Sequence, residues 1–142
     1  MIDKMNKIQI LSILSILSIS GPSLLAADLR PLFEAIREVE TGGEKNPSTA
    51  VGDHGCSVGP YQIGRLYHQD AWRTRRGYAR VREREYAERT MVGYWRRYDP
   101  QALEGGDFEK LARLHNGGCN LWKSKAAGRY WAKVQVVMRS KP

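Results

Sequence analysis

Five stretches of the chain repeat apolar residues at helical spacing, and a polar stretch separates the first from the rest. Over residues 28–41, Leu29, Leu32, Phe33 and Ile36 recur with strides of three and four, and Gly42-Gly43 stops the pattern. Residues 60–72 predict a second helix, with Pro60 in its first turn and Ile63, Leu66 and Tyr67 facing inward. Residues 79–98 set Ala87, Met91, Tyr94, Trp95 and Tyr98 on one face and offer Glu85 and Arg89 as an i,i+4 pair, which makes this the longest helix expected. Asp107 is placed to cap a helix over 108–116 that Gly117-Gly118 terminates. Ser124 is placed to cap a last helix bearing Tyr130, Trp131, Val134, Val137 and Met138. Residues 44–60 are rich in Gly, Pro, Asn and Ser, with Ala50-Val51 as an isolated apolar pair, and read as turns with a short hairpin. The pattern predicts an α+β fold, mainly α, of about five helices and a small β-hairpin.

The first 27 residues read differently. Lys4 and Lys7 precede an apolar run, Ile8 to Ile19, which Gly21-Pro22 breaks before Leu24-Leu25-Ala26-Ala27. A run of about 12 apolar residues is shorter than the roughly 18 to 20 that a membrane-spanning helix needs, so residues 1–27 are expected to be a cleaved signal peptide. Residues 28–142 then form one small domain, secreted or periplasmic, expected to be monomeric and without a stable membrane anchor. The chain carries a net charge of +8 and stays strongly basic without its leader. Such a charge suits an anionic wall polymer, a nucleic acid or a membrane surface, and by itself decides among none of them. Its basic residues concentrate between Arg73 and Arg97, where they alternate with Glu83, Glu85 and Glu88.

Chemistry enters with two carboxylates. Glu40 lies seven residues beyond Phe33 and returns to within about 20° of it on the first helix, on the apolar stripe. The end of a helix also disfavours an anion, so position and dipole both favour a protonated Glu40. Asp53, between Gly52 and His54 in a glycine-flanked turn, is exposed to water and backbone N–H groups and is expected to stay ionised. Two acids in unlike environments suit glycoside hydrolysis, which needs one to protonate the leaving oxygen and another to act as nucleophile, base or stabiliser. Near them, Tyr61 offers an apolar face with a polar tip, and Ser57, Gln62 and Asn116 offer hydrogen bonds to sugar hydroxyl and acetamido groups. Trp122, in an expected loop, is placed to border the same cleft. The histidines show no metal spacing, and neither metal nor cofactor is expected. Cys56 and Cys119, in a chain expected to enter an oxidising compartment, are candidates for one disulfide bridge.

Three separated pieces of the chain, in order, resemble the invertebrate-type lysozymes, also called the destabilase family. They are Glu40-Thr-Gly-Gly, the run Gly52-Asp-His-Gly-Cys-Ser-Val-Gly-Pro-Tyr-Gln-Ile, and Arg113-Leu-His-Asn-Gly-Gly. The resemblance spans about residues 29–138. It implies a lysozyme-like domain that cleaves the β-1,4 bond between N-acetylmuramic acid and N-acetylglucosamine in peptidoglycan. Glu40 matches the family's general acid and Asp53 its second carboxylate, in a retaining mechanism. Ser57, Gly59, Tyr61 and Gln62 match the segment lining the cleft, and His115, Asn116 and Gly117 match the loop facing it. The chain departs from the family in having two cysteines instead of many. Two competing readings keep the same residues in play: a lytic transglycosylase that uses Glu40 without Asp53, and a non-catalytic cationic wall-binding or antimicrobial protein. Nucleic acid is not an expected partner, since basicity alone points to it.

Overall fold

A computed structural model of the protein describes residues 27–141, so the leader expected over residues 1–27 lies outside the described residues but for Ala27. Helix α1, Arg30–Thr41, starts with a proline in its first turn and ends where Gly42 turns left-handed and returns its N–H to Glu38 O at 2.8 Å. Leu32, Phe33, Ala35 and Ile36 are its buried face. Three strands of two residues each follow: β1 (Val51–Gly52), β2 (Ser57–Val58) and β3 (Ile63–Gly64). They pair antiparallel in the order β1-β2-β3, Val51 opposite Val58 and Val58 opposite Ile63. A sheet this short is not stable alone. It is held by burial of Val58 and Ile63 and by Gly59, whose φ of +83° and close approach to the Val81 carbonyl leave no room for a side chain.

The helices that follow are α2 (Arg65–Trp72), α3 (Arg84–Tyr98), α4 (Pro100–Gly105), α5 (Phe108–Leu121) and α6 (Lys125–Ser140). The caps expected at α5 and α6 form: Asp107 accepts from Lys110 N at 3.0 Å and Ser124 from Ala127 N at 3.1 Å. A third cap, Asp99 accepting from Ala102 N, starts α4. Gly118, at φ 64° and ψ −176°, breaks α5 beside the expected Gly-Gly stop. Helix α1 packs on α5 and α6, and α2 on α3. Trp95 sits at their centre, fully buried and stacked 5.8 Å from Phe33 with Ile36, Met91, Leu111 and Val134 buried in the same core. No helix among the described residues is long and apolar enough to cross a membrane.

The mainly helical α+β architecture stands, and several expected details change. The hairpin is a three-stranded sheet, because residues 60–62 turn back to form β3 instead of starting a helix. Helix α2 therefore begins at Arg65, which rotates its inward face onto Tyr67, His68 and Ala71 and leaves Leu66 74% exposed. The longest helix is α6, with 16 residues against 15 in α3. On α3 the i,i+4 ion pair is Arg84 with Glu88, while Arg89 lies over the Tyr86 ring.

The expected Cys56–Cys119 bridge is absent: both thiols are free. Cys56 is exposed in the turn before β2, whereas the Cys119 side chain faces the hydroxyls of Tyr94 and Tyr98 on α3. Helix packing therefore supplies the closure that the bridge was expected to give. The melting temperature should be the same within about 1 °C with and without reductant. A bridge across a loop of this size, contributing roughly 3 to 4.7 kcal/mol, would make reduction lower it by roughly 10 °C or more.

A second prediction concerns His68, which is fully buried, stacks on Tyr86 and makes a 3.0 Å hydrogen bond with its hydroxyl. Burial holds its imidazolium form below the ordinary histidine pKa of 6.5. The unfolded chain thus takes up a proton that the folded chain resists as pH falls below that value. Stability is complete above pH 6.5 and falls below it, by up to about 1.4 kcal/mol per pH unit from this group. Denaturant unfolding between pH 5 and 7 should show a shallower pH slope in His68→Gln than in the wild type.

Candidate active site

The last turn of α1, the β1–β2 turn, the 60–62 turn and the second half of α5 meet around a polar cleft of about 290 Å³. Its walls are Glu40, Gly52, Asp53, Ser57, Gln62, His115 and Asn116. Six of the nine residues expected at the site, Glu40, Asp53, Ser57, Gln62, His115 and Asn116, are therefore brought together.

Glu40 is half-buried, its side chain 19% exposed, and its Oε1 is held from two sides. The Tyr130 hydroxyl of α6 donates to Oε1 at 2.7 Å, and His115 Nε2 lies 3.4 Å from the same oxygen. Nε2 also lies 3.1 Å from the Tyr61 carbonyl, which can only accept, so this nitrogen carries the hydrogen. In the neutral ring, Nδ1 then accepts from the Tyr67 hydroxyl at 3.3 Å. Burial, and after it the charge of Glu40, push the Tyr130 hydroxyl well above the ordinary tyrosine pKa. Burial likewise raises Tyr67, with smaller contributions from Tyr94 and Glu40. Both phenols stay protonated and remain donors. Oε2 of Glu40 is the oxygen that the Tyr130 hydroxyl leaves free.

Asp53 occupies the opposite environment. It is exposed, in a short 3₁₀ turn, and adopts φ 49°. His54 and Gln62 share that left-handed conformation at φ 55° and 47°, so three non-glycine residues in or beside the cleft hold sparsely populated backbone. Gln62 is fixed by donation from Nε2 to the Gly59 carbonyl at 2.8 Å, which presents Oε1 to Ser57 Oγ at 3.1 Å. Ser57 Oγ lies 3.4 Å from Asp53 Oδ2, and its single hydrogen serves one acceptor at a time. Gly52 makes this packing feasible, since a Cβ there would lie 2.1 Å from Gln62 Oε1.

Three expected cleft residues lie elsewhere. Tyr61 is fully buried, its ring edge against Phe33 and its hydroxyl donating to Glu88 at 2.5 Å, so it presents no face to a ligand. It touches the site through its carbonyl alone. Gly59 packs on the Val81 backbone and Gly117 on the backbone of Trp122. Trp122 itself lies against the ammonium groups of Lys110 and Lys123, outside the cleft walls. Conversely, Tyr130, Tyr67 and Gly52 belong to the site and were not singled out for it from the sequence. Tyr130 sits on the apolar face of α6, and only the packing of α6 on α1 turns its hydroxyl to Glu40. A larger cavity of about 670 Å³ lies between α2 and α3, beside Phe33 and Trp72. Its most buried carboxylate, Glu88, is already committed to Tyr61 and Arg84, so the smaller cleft is the better candidate for carboxylate chemistry.

With the site defined, the fold compares with known structures. The chain is similar to the crystal structure of Tapes japonica lysozyme, at a TM-score of 0.62 and 24% identity, over 78% of this chain and 93% of that one. No protein-family model and no curated protein sequence matches the chain. The shared architecture is a lysozyme-like fold.

Proposed function

We propose that the protein is an exported lysozyme that hydrolyses the β-1,4 bond between N-acetylmuramic acid and N-acetylglucosamine in peptidoglycan. The observation that carries this reading is the placement of two carboxylates in contrasting environments on one cleft: Glu40 half-buried beneath the Tyr130 hydroxyl and the His115 ring, and Asp53 exposed on a turn of the sheet. The similarity in fold to a lysozyme and the three sequence pieces matching the invertebrate-type family support it. Export rests on the leader pattern of residues 1–27.

In this mechanism the Tyr130 hydroxyl holds Oε1 of Glu40, so the acidic proton sits on Oε2. That proton passes to the glycosidic oxygen as the bond to C1 breaks, and the Asp53 carboxylate adds to C1 from the opposite face. Water then displaces Asp53 while Glu40 takes up the water's proton, which restores both groups and retains the anomeric configuration. Ser57, Gln62 and Asn116 line the cleft with hydroxyl and amide groups suited to N-acetyl sugars.

Mass spectrometry of fragments released from purified peptidoglycan tests the assignment directly. Hydrolysis gives reducing-end N-acetylmuramic acid, and Glu40→Gln should lower its release by roughly 10²- to 10⁴-fold, with a large loss also in Asp53→Asn. Products lighter by one water, with 1,6-anhydro ends and undiminished in Asp53→Asn, would establish a transglycosylase instead. Wall binding by the folded wild type without any fragment release would mark a binding protein. NMR of the first product should show the β-anomer if Asp53 is the nucleophile.

Tyr130→Phe isolates the hold on Glu40, since it deletes one hydroxyl and leaves the packed ring. Proton transfer leaves Glu40 negatively charged, so losing the hydrogen bond to the developing carboxylate predicts a fall in kcat of about tenfold or more, with KM nearly unchanged. An unaltered kcat would show that Oε1 needs no donor from α6.

A further inference from the structure

The sheet has a second face. Side chains alternate along a strand, and in both β1 and β2 one residue turns to the cleft and its neighbour to the other side: Gly52 and Ser57 line the cleft, Val51 and Val58 line a separate cavity of about 480 Å³. The far wall of that cavity is Arg65, Arg75 and Arg82 around Tyr78. A contiguous recess of about 340 Å³ shares Arg65, Arg75 and Tyr78 and adds Leu66 and Gln69. Neither is lined by a carboxylate.

Several arginines of this region are neutralised, and the three that line the cavity are not. Arg37, Arg80, Arg84 and Arg113 each pair with a glutamate. Arg65, Arg75 and Arg82 make no ion pair among the described residues and are instead positioned by neutral groups. The Arg65 guanidinium lies over the Tyr78 ring at 4.7 Å, Arg75 Nε donates to Gln69 Oε1 at 2.9 Å, and Arg82 donates to the Ser48 carbonyl at 3.1 Å. Each guanidinium thus has its orientation set while its charge and further N–H donors remain unmatched. Three such forks around one concavity suit a tetrahedral oxyanion, which guanidinium binds in a bidentate manner.

We propose that this cavity binds the phosphodiester groups of an anionic glycopolymer of the cell wall, holding the polymer against the sheet whose other face carries Asp53. Assignment of the polymer to the wall rests on the hydrolase reading above; the anion site rests on the arginines alone. The cavity is concave, which a bilayer surface does not fit. Its aromatic face, Tyr78, is covered by Arg65, so no open platform exists on which the bases of a single-stranded nucleic acid would stack.

Fluorescence anisotropy with labelled poly(glycerol phosphate) and the full chain tests the proposal. The wild type should bind with an affinity that falls as salt rises, and Arg75→Gln/Arg82→Gln should bind about tenfold or more weakly at an unchanged melting temperature. Arg129→Gln/Lys133→Gln, which removes the same charge from exposed positions on α6, should change affinity less than about threefold. Equal losses in the two double variants would overturn the site in favour of general charge attraction, as would absence of wild-type binding. Equally tight, equally arginine-dependent binding of a single-stranded oligonucleotide of matched charge would overturn the glycopolymer assignment. Arg75/Arg82-dependent polymer binding by a protein that releases no peptidoglycan fragments would uphold the anion site and refute the hydrolase. Fragment release without such binding would do the reverse.

Discussion

The hydrogen bond from Tyr130 to Glu40 fixes more of this molecule than its 2.7 Å length implies. A carboxylate placed among packed helices is costly unless donors reach it. Here the donor is Tyr130 from α6, and the His115 ring of α5 packs with Nε2 3.4 Å from the same oxygen. Glu40 can meet both side chains only because α1 stops two residues later at the left-handed Gly42, which frees the chain to swing away into the sheet. Three helices are thereby registered against one another at the point where a carboxylate is needed.

His115 extends the same constraint into the sheet. Its Nε2 hydrogen is directed at the Tyr61 carbonyl, and Tyr61 in turn sends its hydroxyl to Glu88 on α3. Burial, and then the hydrogen bond and charge of Glu88, raise the Tyr61 phenol far above its ordinary range, so it acts as a permanent donor. The turn at residues 60–62 is pinned on both sides by this one residue. That pinning explains how Gln62 is kept in a left-handed conformation that few glutamines adopt, with its amide returned to Gly59. A tyrosine read from sequence as a sugar platform is instead the anchor that aims the glutamine beside it.

What was legible in the sequence follows from the range of the interactions involved. Helix caps at Asp107 and Ser124, the break at Gly118 and the placement of Glu40 on the apolar stripe of α1 depend on residues within about one or two turns, and periodicity reports these. The pairing of β3 with β2, the burial of Tyr61 and the hydroxyl of Tyr130 at Glu40 depend on partners far away in the chain, and no local pattern encodes them. Proline 60 shows the ambiguity well: its fixed φ suits a first helical turn and a β-turn alike. The cysteines show another limit. Composition and compartment made a bridge reasonable, but only the packing reveals that Cys119 faces α3 hydroxyls while Cys56 faces solvent.

The two faces of the sheet also divide the charges of a basic protein. On the cleft side lie two carboxylates, one of them held by the Tyr130 phenol beside the His115 ring; on the other side lie three guanidinium groups without carboxylate partners. Strands of two residues are enough for this separation, because alternation needs only adjacent positions. Had Arg65, Arg75 or Arg82 opened onto the cleft, they would sit beside Asp53 and occupy the acceptor that glycoside chemistry requires. Keeping them behind a layer of backbone leaves Asp53 without an arginine partner while the cationic field stays within one sheet's thickness of the cleft. Part of the positive charge evident from composition thus acquires a location, on the opposite face of the sheet from the two carboxylates.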